Sequence, residues 1–497
     1  MEKRILVAIA LSLIILTAWS VISPKQKIPA SGVTTIVREQ PKSVVEKAVE
    51  VKDEKPTTKI SLDIYSFQVI DNEGIIKSVF FNKYNDELKL LKGFLLKNNF
   101  DGEGSATSVG NTIVYKNKEQ KVEITKKLEL NNNFGGTLVI TLKNMSNLAI
   151  KTKIPLVLGV LNFEDPINGQ FSDVTVGTKE KTVHWNGKSN QSNSAATFIA
   201  LRNRYFAAII EPKSENFTGY VQKIDNKYSE VGITSAEITL APNEERAETF
   251  SIYLGPLDLK YIYPLNSAWG GVVNFGTFDI ISHTLLKLLD MLHGVFHSWG
   301  LAIIILSILV YLILYPLTLK QMRAMKQMQA LQPRIEELRK LHKDNPQKLN
   351  KEMMELYREH KVNPLGGCLP IVLQIPIFFA LYQALMRAVD LKGSGFLWIK
   401  DLAMPDRLFV LPFNVPGLGN EFNILPILMA IGMFVQQKMS MVAASKEAAE
   451  QQKIMMIIFP ILFGFIFYKM PSGLVLYWFV NSGLMLASQI MTARQKV

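Results

Sequence analysis

Leu301-Ala-Ile-Ile-Ile-Leu-Ser-Ile-Leu-Val-Tyr-Leu-Ile-Leu-Tyr-Pro-Leu-Thr-Leu319 contains no charged side chain. Its length suits a helix crossing hydrocarbon, which needs about 20 apolar residues. Working outward, five more uncharged apolar runs appear: Ile5 to Ile22, Leu369 to Met386, Phe422 to Gln437, Ile454 to Tyr468 and Leu474 to Ile490. The expectation is six membrane spans, the last two short with soft boundaries. Lys3 and Arg4 precede the first run, which is longer than the apolar part of most signal peptides. It therefore reads as a retained anchor, residues 1–22, rather than a leader cleaved after Ala18 or Ser20.

The loops orient these spans, because Lys and Arg accumulate on the cytoplasmic side of short connections. Between the second and third spans, eleven cations from Lys320 to Lys361 face six acids. The next loop carries Lys392, Lys400 and Arg407 against Asp390, Asp401, Asp406 and Glu421, and Lys438, Lys446 and Lys453 follow the fourth span. Both termini and the 320–365 segment are thus expected in the cytoplasm, and the long region between the first two spans outside it. The 497 residues are 48% hydrophobic, with mean hydropathy +0.15 and a formal charge of +12. That basic excess follows the topology, so nucleic-acid binding is not expected. A single cysteine, Cys368, rules out an internal disulfide framework. At the start of the third span it reads as a small apolar residue.

Residues 23–58 are rich in Lys, Glu, Val, Pro and Ser without periodicity and read as a flexible tether. From residue 59 to 270 the pattern changes to short β-rich runs such as Thr137-Leu-Val-Ile-Thr-Leu142 and Tyr205-Phe-Ala-Ala-Ile-Ile210, punctuated by turn residues. This predicts one large all-β sandwich. Its His184 has no identifiable partner for acid–base work, and Gly187-Lys188-Ser189 lacks the upstream glycine of a phosphate-binding loop, since Thr182 stands there. A turn is the better reading. Residues 271–298 carry Phe278, Ile281, Leu285, Leu288, Leu289, Leu292, Val295 and Phe296 at helical spacing, predicting an amphipathic helix lying flat in the membrane interface. His293 and His297 share a face, but two ligands from one helix make an incomplete metal site.

Residues 299–497 form the remaining unit. No Asp, Glu, Lys, Arg or His lies within its apolar runs, which argues against an ion-coupled transporter. The polar groups present are uncharged and patterned. Ser307, Tyr311, Tyr315 and Thr318 fall on one helical face, and Tyr477, Asn481 and Ser488 repeat the arrangement in the last span, with Trp478 beside them. Gln374 and Gln383 lie in the third span and Gln436 near the end of the fourth. Such residues can bond helix to helix; two polar faces on different spans also predict a wet concavity for a client's hydrophilic stretch. The 320–365 segment reads as two helices broken near Asn345-Pro346, with Pro333 a kink or start. Met322, Met325, Met328, Met353 and Met354 suit either packing between the helices or adaptable binding of apolar segments, with Arg323 on the basic surface.

Tyr315-Pro-Leu-Thr318, Leu331-Gln-Pro333, Glu352-Met-Met354, Val362-Asn-Pro-Leu-Gly-Gly-Cys-Leu-Pro370, Gln374-Ile-Pro-Ile-Phe378 and Pro471-Ser-Gly-Leu-Val-Leu-Tyr477 occur in order. From Trp299 to about Gln489 the chain resembles the YidC/Oxa/Alb family of membrane protein insertases, and its layout resembles the Gram-negative form. The resemblance implies a polytopic α-helical protein of the bacterial inner membrane: a five-helix core, and a periplasmic β-supersandwich akin to sugar-mutarotase folds. It also implies a hydrophilic groove, open to cytoplasm and lipid, from which a client's apolar segment leaves along the third and fifth spans. The implied partners are nascent membrane proteins, the Sec translocon, the ribosome and membrane lipids, with chaperone activity and neither enzymatic chemistry nor a cofactor. Where the family usually has an arginine in the second span, this chain has Tyr311. A small-solute transporter or channel is the competing class, for which the sequence lacks internal repeats.

Overall fold

The computed structural model describes residues 57–494 apart from 62, 71–73, 98–103, 110, 119–120, 167, 343–344, 361, 363–368 and 441–445. The expected anchor, nearly all of the tether, and Cys368 lie outside the described residues. Thr57 and Thr58, assigned to the tether, instead open the first strand, Thr57–Ser61.

The β region is a sandwich of antiparallel sheets. Its large sheet has nine strands in the order Thr182–Trp185, Asp173–Gly177, Phe198–Arg202, Phe206–Pro212, Glu245–Pro256, Gly135–Asn144, Val122–Leu130, Thr112–Lys118 and Gly104–Val109. A five-stranded sheet centred on Pro155–Asn162 and Tyr228–Ser235, and a four-stranded one spanning Thr57–Gly93, complete the sandwich. Strand Val122–Leu130 alternates inward Val122, Ile124, Leu128 and Leu130 with outward polar residues, as a strand with one buried face must. By contrast, Phe206-Ala-Ala-Ile-Ile210 is buried at every position because layers cover both faces of the central strand. Phe81 of the four-stranded sheet stacks on Phe206 at 4.2 Å, so the sheets share one core.

After the last long strand come α1 (Leu259–Ile262), capped by Asp258, and a 3₁₀ segment, Ser267–Val272. Arg202 holds that segment. It pairs bidentately with Asp173, directly opposite on the neighbouring strand, at 2.5 and 2.7 Å, and donates to the Val272 and Asn274 carbonyls. The chain then enters α2 (Asp279–Phe296). Its Leu285, Leu289 and Leu292 are buried against other helices rather than left for lipid, and Ser282 donates to the Ala380 carbonyl at 3.0 Å. The apolar stripe is therefore divided: Ile280, Met291 and Val295 stay exposed.

The helical region comprises α3 (Trp299–Ala330), α4 (Gln332–Leu341), α5 (Pro346–Glu359), α6 (Leu369–Arg387), α7 (Ile424–Ser440), α8 (Lys446–Phe467) and α9 (Ser472–Arg494). Among the described residues, Trp299–Met328 and Ser472–Thr492 are long and apolar enough to cross a membrane, and Ile424–Met439 and Met456–Phe467 are shorter apolar helices. Leu306, Val310, Leu381, Leu385, Met429, Phe467 and Tyr477 join α3, α6, α7, α8 and α9 in a second core. The expected hairpin beginning at Lys320 is corrected in one respect: residues 320–330 continue α3, because no glycine or proline stands between Lys320 and Ala330. Pro333 instead sits in the first turn of α4, where a missing N–H costs nothing.

A two-stranded hairpin, Phe409–Val415 and Gly419–Phe422, lies between α6 and α7. Phe422, expected to begin the fourth span, belongs to this hairpin.

Candidate functional site

The sequence-predicted groove residues converge on α3, α6 and α9. A hydroxyl on an apolar helix satisfies itself most cheaply by donating to the carbonyl one turn back. Ser307 does so to Ile303 at 2.7 Å and Thr318 to Leu314 at 3.2 Å. Tyr311 is too long for that and crosses to α9, donating to Ser488 Oγ at 2.5 Å. Tyr477, fully buried, accepts from Gln374 Nε2 at 3.0 Å, which ties α9 to α6. Ser307, Tyr311, Thr318, Tyr477 and Ser488 are buried, whereas Tyr315, Gln374, Gln383, Trp478 and Asn481 are partly open. The Gln383 side-chain oxygen is buried without a hydrogen-bond partner among the described residues. Gln436 contacts Met485 of α9.

These contacts form a polar seam running along the inward face of α9 between apolar neighbours. Phe378, Phe463 and Phe467 surround Trp478 with ring centroids 5.1–5.8 Å away, giving the seam an aromatic flank. Its polar atoms are uncharged; Tyr311 and Ser488, and Gln374 and Tyr477, are matched to one another, while Ser307 and Thr318 bond to their own helix. They can exchange partners with a peptide backbone without exposing an ion to low dielectric.

The methionines separate by location. Met328 and Met353 pack on Leu331, Ile335, Leu356 and Val362, which hold α4 to α5. Met322 is buried beside Thr492 of α9, Met354 and Arg323 face outward, and the Met325 side chain lies outside the described residues. Lys326 donates to the Thr492 carbonyl, tying the ends of α3 and α9 together.

The residues set aside on sequence grounds have structural partners. His184 Nδ1 meets Thr175 Oγ1 and its Nε2 meets Asn274 Nδ2, both at 3.1 Å. Partial burial and the neighbouring Arg202 hold its pKa below the usual imidazole value. Gly187 takes φ +70° in the turn that contains Lys188 and Ser189. His293 stacks on Trp299 at 4.0 Å.

Sequence reading missed two buried charged groups, Arg204, which joins the β sandwich to the helical region, and Asp406, which holds the start of α7. Arg204, buried, donates from Nε to the Met386 carbonyl at 2.6 Å and from Nη2 to the Ala403 carbonyl at 3.2 Å. Asp406, also buried, accepts from Trp398 Nε1 and from the backbone N–H groups of Ile424 and Leu425, and so caps α7.

Residues 291–497 match the family described as 60Kd inner membrane protein, and residues 112–288 match the YidC periplasmic domain. The chain belongs to the YidC/Oxa/Alb family. Similar proteins include the membrane protein insertase YidC of Geotalea daltonii, 29% identical over 98% of both chains. That of Geobacter sulfurreducens is 38% identical over 60% of this chain. The chain spans 53% of the latter's length. A crystal structure of an active YidC insertase is 19% identical, covering 90% of this chain and 94% of that one, with a TM-score of 0.42. This YidC-family chain thus combines a large periplasmic β-sandwich domain with a helical membrane region.

Proposed function

We propose that this protein is a membrane protein insertase and chaperone that moves nascent chains into the inner membrane, alone or with the Sec translocon. The reading rests on one observation above the others: the uncharged polar seam of Tyr311–Ser488 and Gln374–Tyr477 among otherwise apolar helices. An unpaired peptide group in hydrocarbon costs several kcal/mol. A client's polar tail therefore needs a lining that can bond to its backbone; the partly open Tyr315, Gln374, Gln383 and Asn481 supply it, and Ser307, Tyr311, Thr318, Tyr477 and Ser488 join once their present bonds are exchanged for the client's. Trp478 and the phenylalanines around it give the apolar segment a surface to leave along. No covalent bond is made or broken in this scheme.

Topology in the proposal follows the charges: six spans, both termini and the α4–α5 hairpin cytoplasmic, the sandwich periplasmic. The hairpin, with Met354 exposed on α5, and the exposed Arg323 at the cytoplasmic end of α3 face ribosome-delivered chains. The decisive experiment is reconstitution into liposomes containing only this protein, followed by addition of a short single-span client with a polar tail. Protease protection of that tail is expected. Failure of protection, together with a flux of small solutes through the same vesicles, would move the protein to the transporter class.

A further inference from the structure

We propose that the 409–422 hairpin is a wedge seated in the outer-leaflet interface of the bilayer, fixing the depth of the helices on either side. The proposal rests on the membrane placement above but not on insertase activity. No charged residue occurs from Leu408 to Asn420. Phe409, Val410 and Phe413 are 48%, 56% and 61% exposed. Adjacent strand residues point to opposite faces, so exposed Phe409 and Val410 leave both faces of the ribbon largely uncovered at that level. Apolar side chains on both sides of an isolated two-stranded ribbon, itself marginal in water, call for an apolar surrounding.

Three contacts fix how the ribbon stands on the helix ends. At the root, Asp406 caps α7 while Arg407 N–H donates to Asn423 Oδ1 at 2.9 Å, and Asn423 in turn donates to the Tyr468 carbonyl beyond the end of α8. The ribbon thus leaves the helix ends on a rigid base. Along it, the Phe409 and Phe422 rings stack at 4.6 Å. At the tip, Val415-Pro-Gly-Leu418 closes a turn with Leu418 N–H donating to the Val415 carbonyl at 3.1 Å. Gly417 takes the φ of +82° that a turn with proline one residue earlier requires.

A Cβ on Gly417 would stand 3.4 Å from the ring of Phe465, in the last turn of α8. Phe465 and Ile461 are 56% and 66% exposed on that helix. The ribbon is therefore continuous with an outward apolar flank of the membrane region. Among the described residues no further strand covers its outer edges, and hydrocarbon does not tolerate an open sheet edge. Those edges place it at the headgroup–acyl boundary, where water remains available. The Arg407–Glu421 ion pair at the root suits that level.

The test uses the full chain with Cys368→Ser, carrying an environment-sensitive fluorophore at Val410→Cys or Phe413→Cys, in phosphatidylcholine/phosphatidylglycerol vesicles. A Lys179→Cys label on the exposed sandwich surface serves as the aqueous reference. Both hairpin labels are expected to emit at shorter wavelength than the reference. Quenching by lipids bearing a nitroxide near the headgroup should be several-fold stronger for them, and iodide quenching weaker. Iodide quenching equal to the reference overturns the proposal. So does protection from both quenchers, which would mean that a protein partner or a second copy covers the ribbon. Two labelled positions keep the test valid if one substitution disturbs folding, and neither readout depends on client insertion.

Discussion

Tyr311 is a buried hydroxyl of α3 that reaches across to α9. Its hydroxyl is committed to Ser488 and presents no cation. Clients with acidic tails are therefore expected to depend weakly on this position. Insertion yields of matched neutral and acidic tails should keep the same ratio in the parent and in Tyr311→Arg, and a ratio shifted strongly by the arginine would refute this account of the seam. An arginine there also has to be hydrated, at about 2.5–3.5 kcal/mol on insertion scales. Asp173 poses the opposite case, a carboxylate matched bidentately to a buried guanidinium. Asp173→Asn leaves Arg202 charged and half-satisfied and is expected to cost about 3 kcal/mol, read as a lowered denaturation midpoint of the sandwich.

At the scale of elements, α4 and α5 are short and cytoplasmic in our reading, and they hold together through the small cluster of Leu331, Ile335, Leu356 and Val362. Short helices gain little from propensity alone, so end caps and single core residues carry much of their stability. Asn345 caps α5 by accepting from Lys348 N–H at 3.1 Å. Asn345→Ala is expected to destabilise the hairpin by about 1 kcal/mol, seen as faster hydrogen exchange confined to residues 346–359. Leu356→Ala should cost more, about 2–5 kcal/mol, and should accelerate exchange in both helices. The same elements show how far sequence reaches. Pro333 and Asn345 marked the helix starts correctly. The extension of α3 to Ala330 went unread because Lys320 ended the apolar run without ending the helix.

For the whole molecule, the question is how the sandwich meets the helices. Arg204 spans that junction, and Asp390 adds ion pairs with Lys83 and Lys260. The two lysines are partly exposed, so these pairs contribute little. Arg204→Ala removes the donor to two carbonyls, at about 1–3 kcal/mol for each buried group left unmatched. Limited proteolysis should then cut the 388–408 loop faster than in the parent, whereas Asp390→Asn should leave the rate nearly unchanged. Cys368→Ser should leave client insertion intact, since serine there changes size little and no function in the proposal uses a thiol; an inactive variant would overturn that reading.

The apolar runs, the turn-punctuated β region, the loop charges and the polar faces of two helices were all legible in the linear chain. Periodicity, charge and span length act over a few neighbouring residues, and neighbours in sequence are visible there. Which hydroxyl bonds to which amide was not legible. Tyr311 and Ser488 are 177 positions apart, and Arg204 reaches the Met386 carbonyl across 182. The exposure of the 409–422 ribbon was equally hidden, because an apolar stretch of sequence does not show what covers it. Such pairings depend on how the helices and sheets pack, and burial is a property of what covers a residue, which only the folded chain decides.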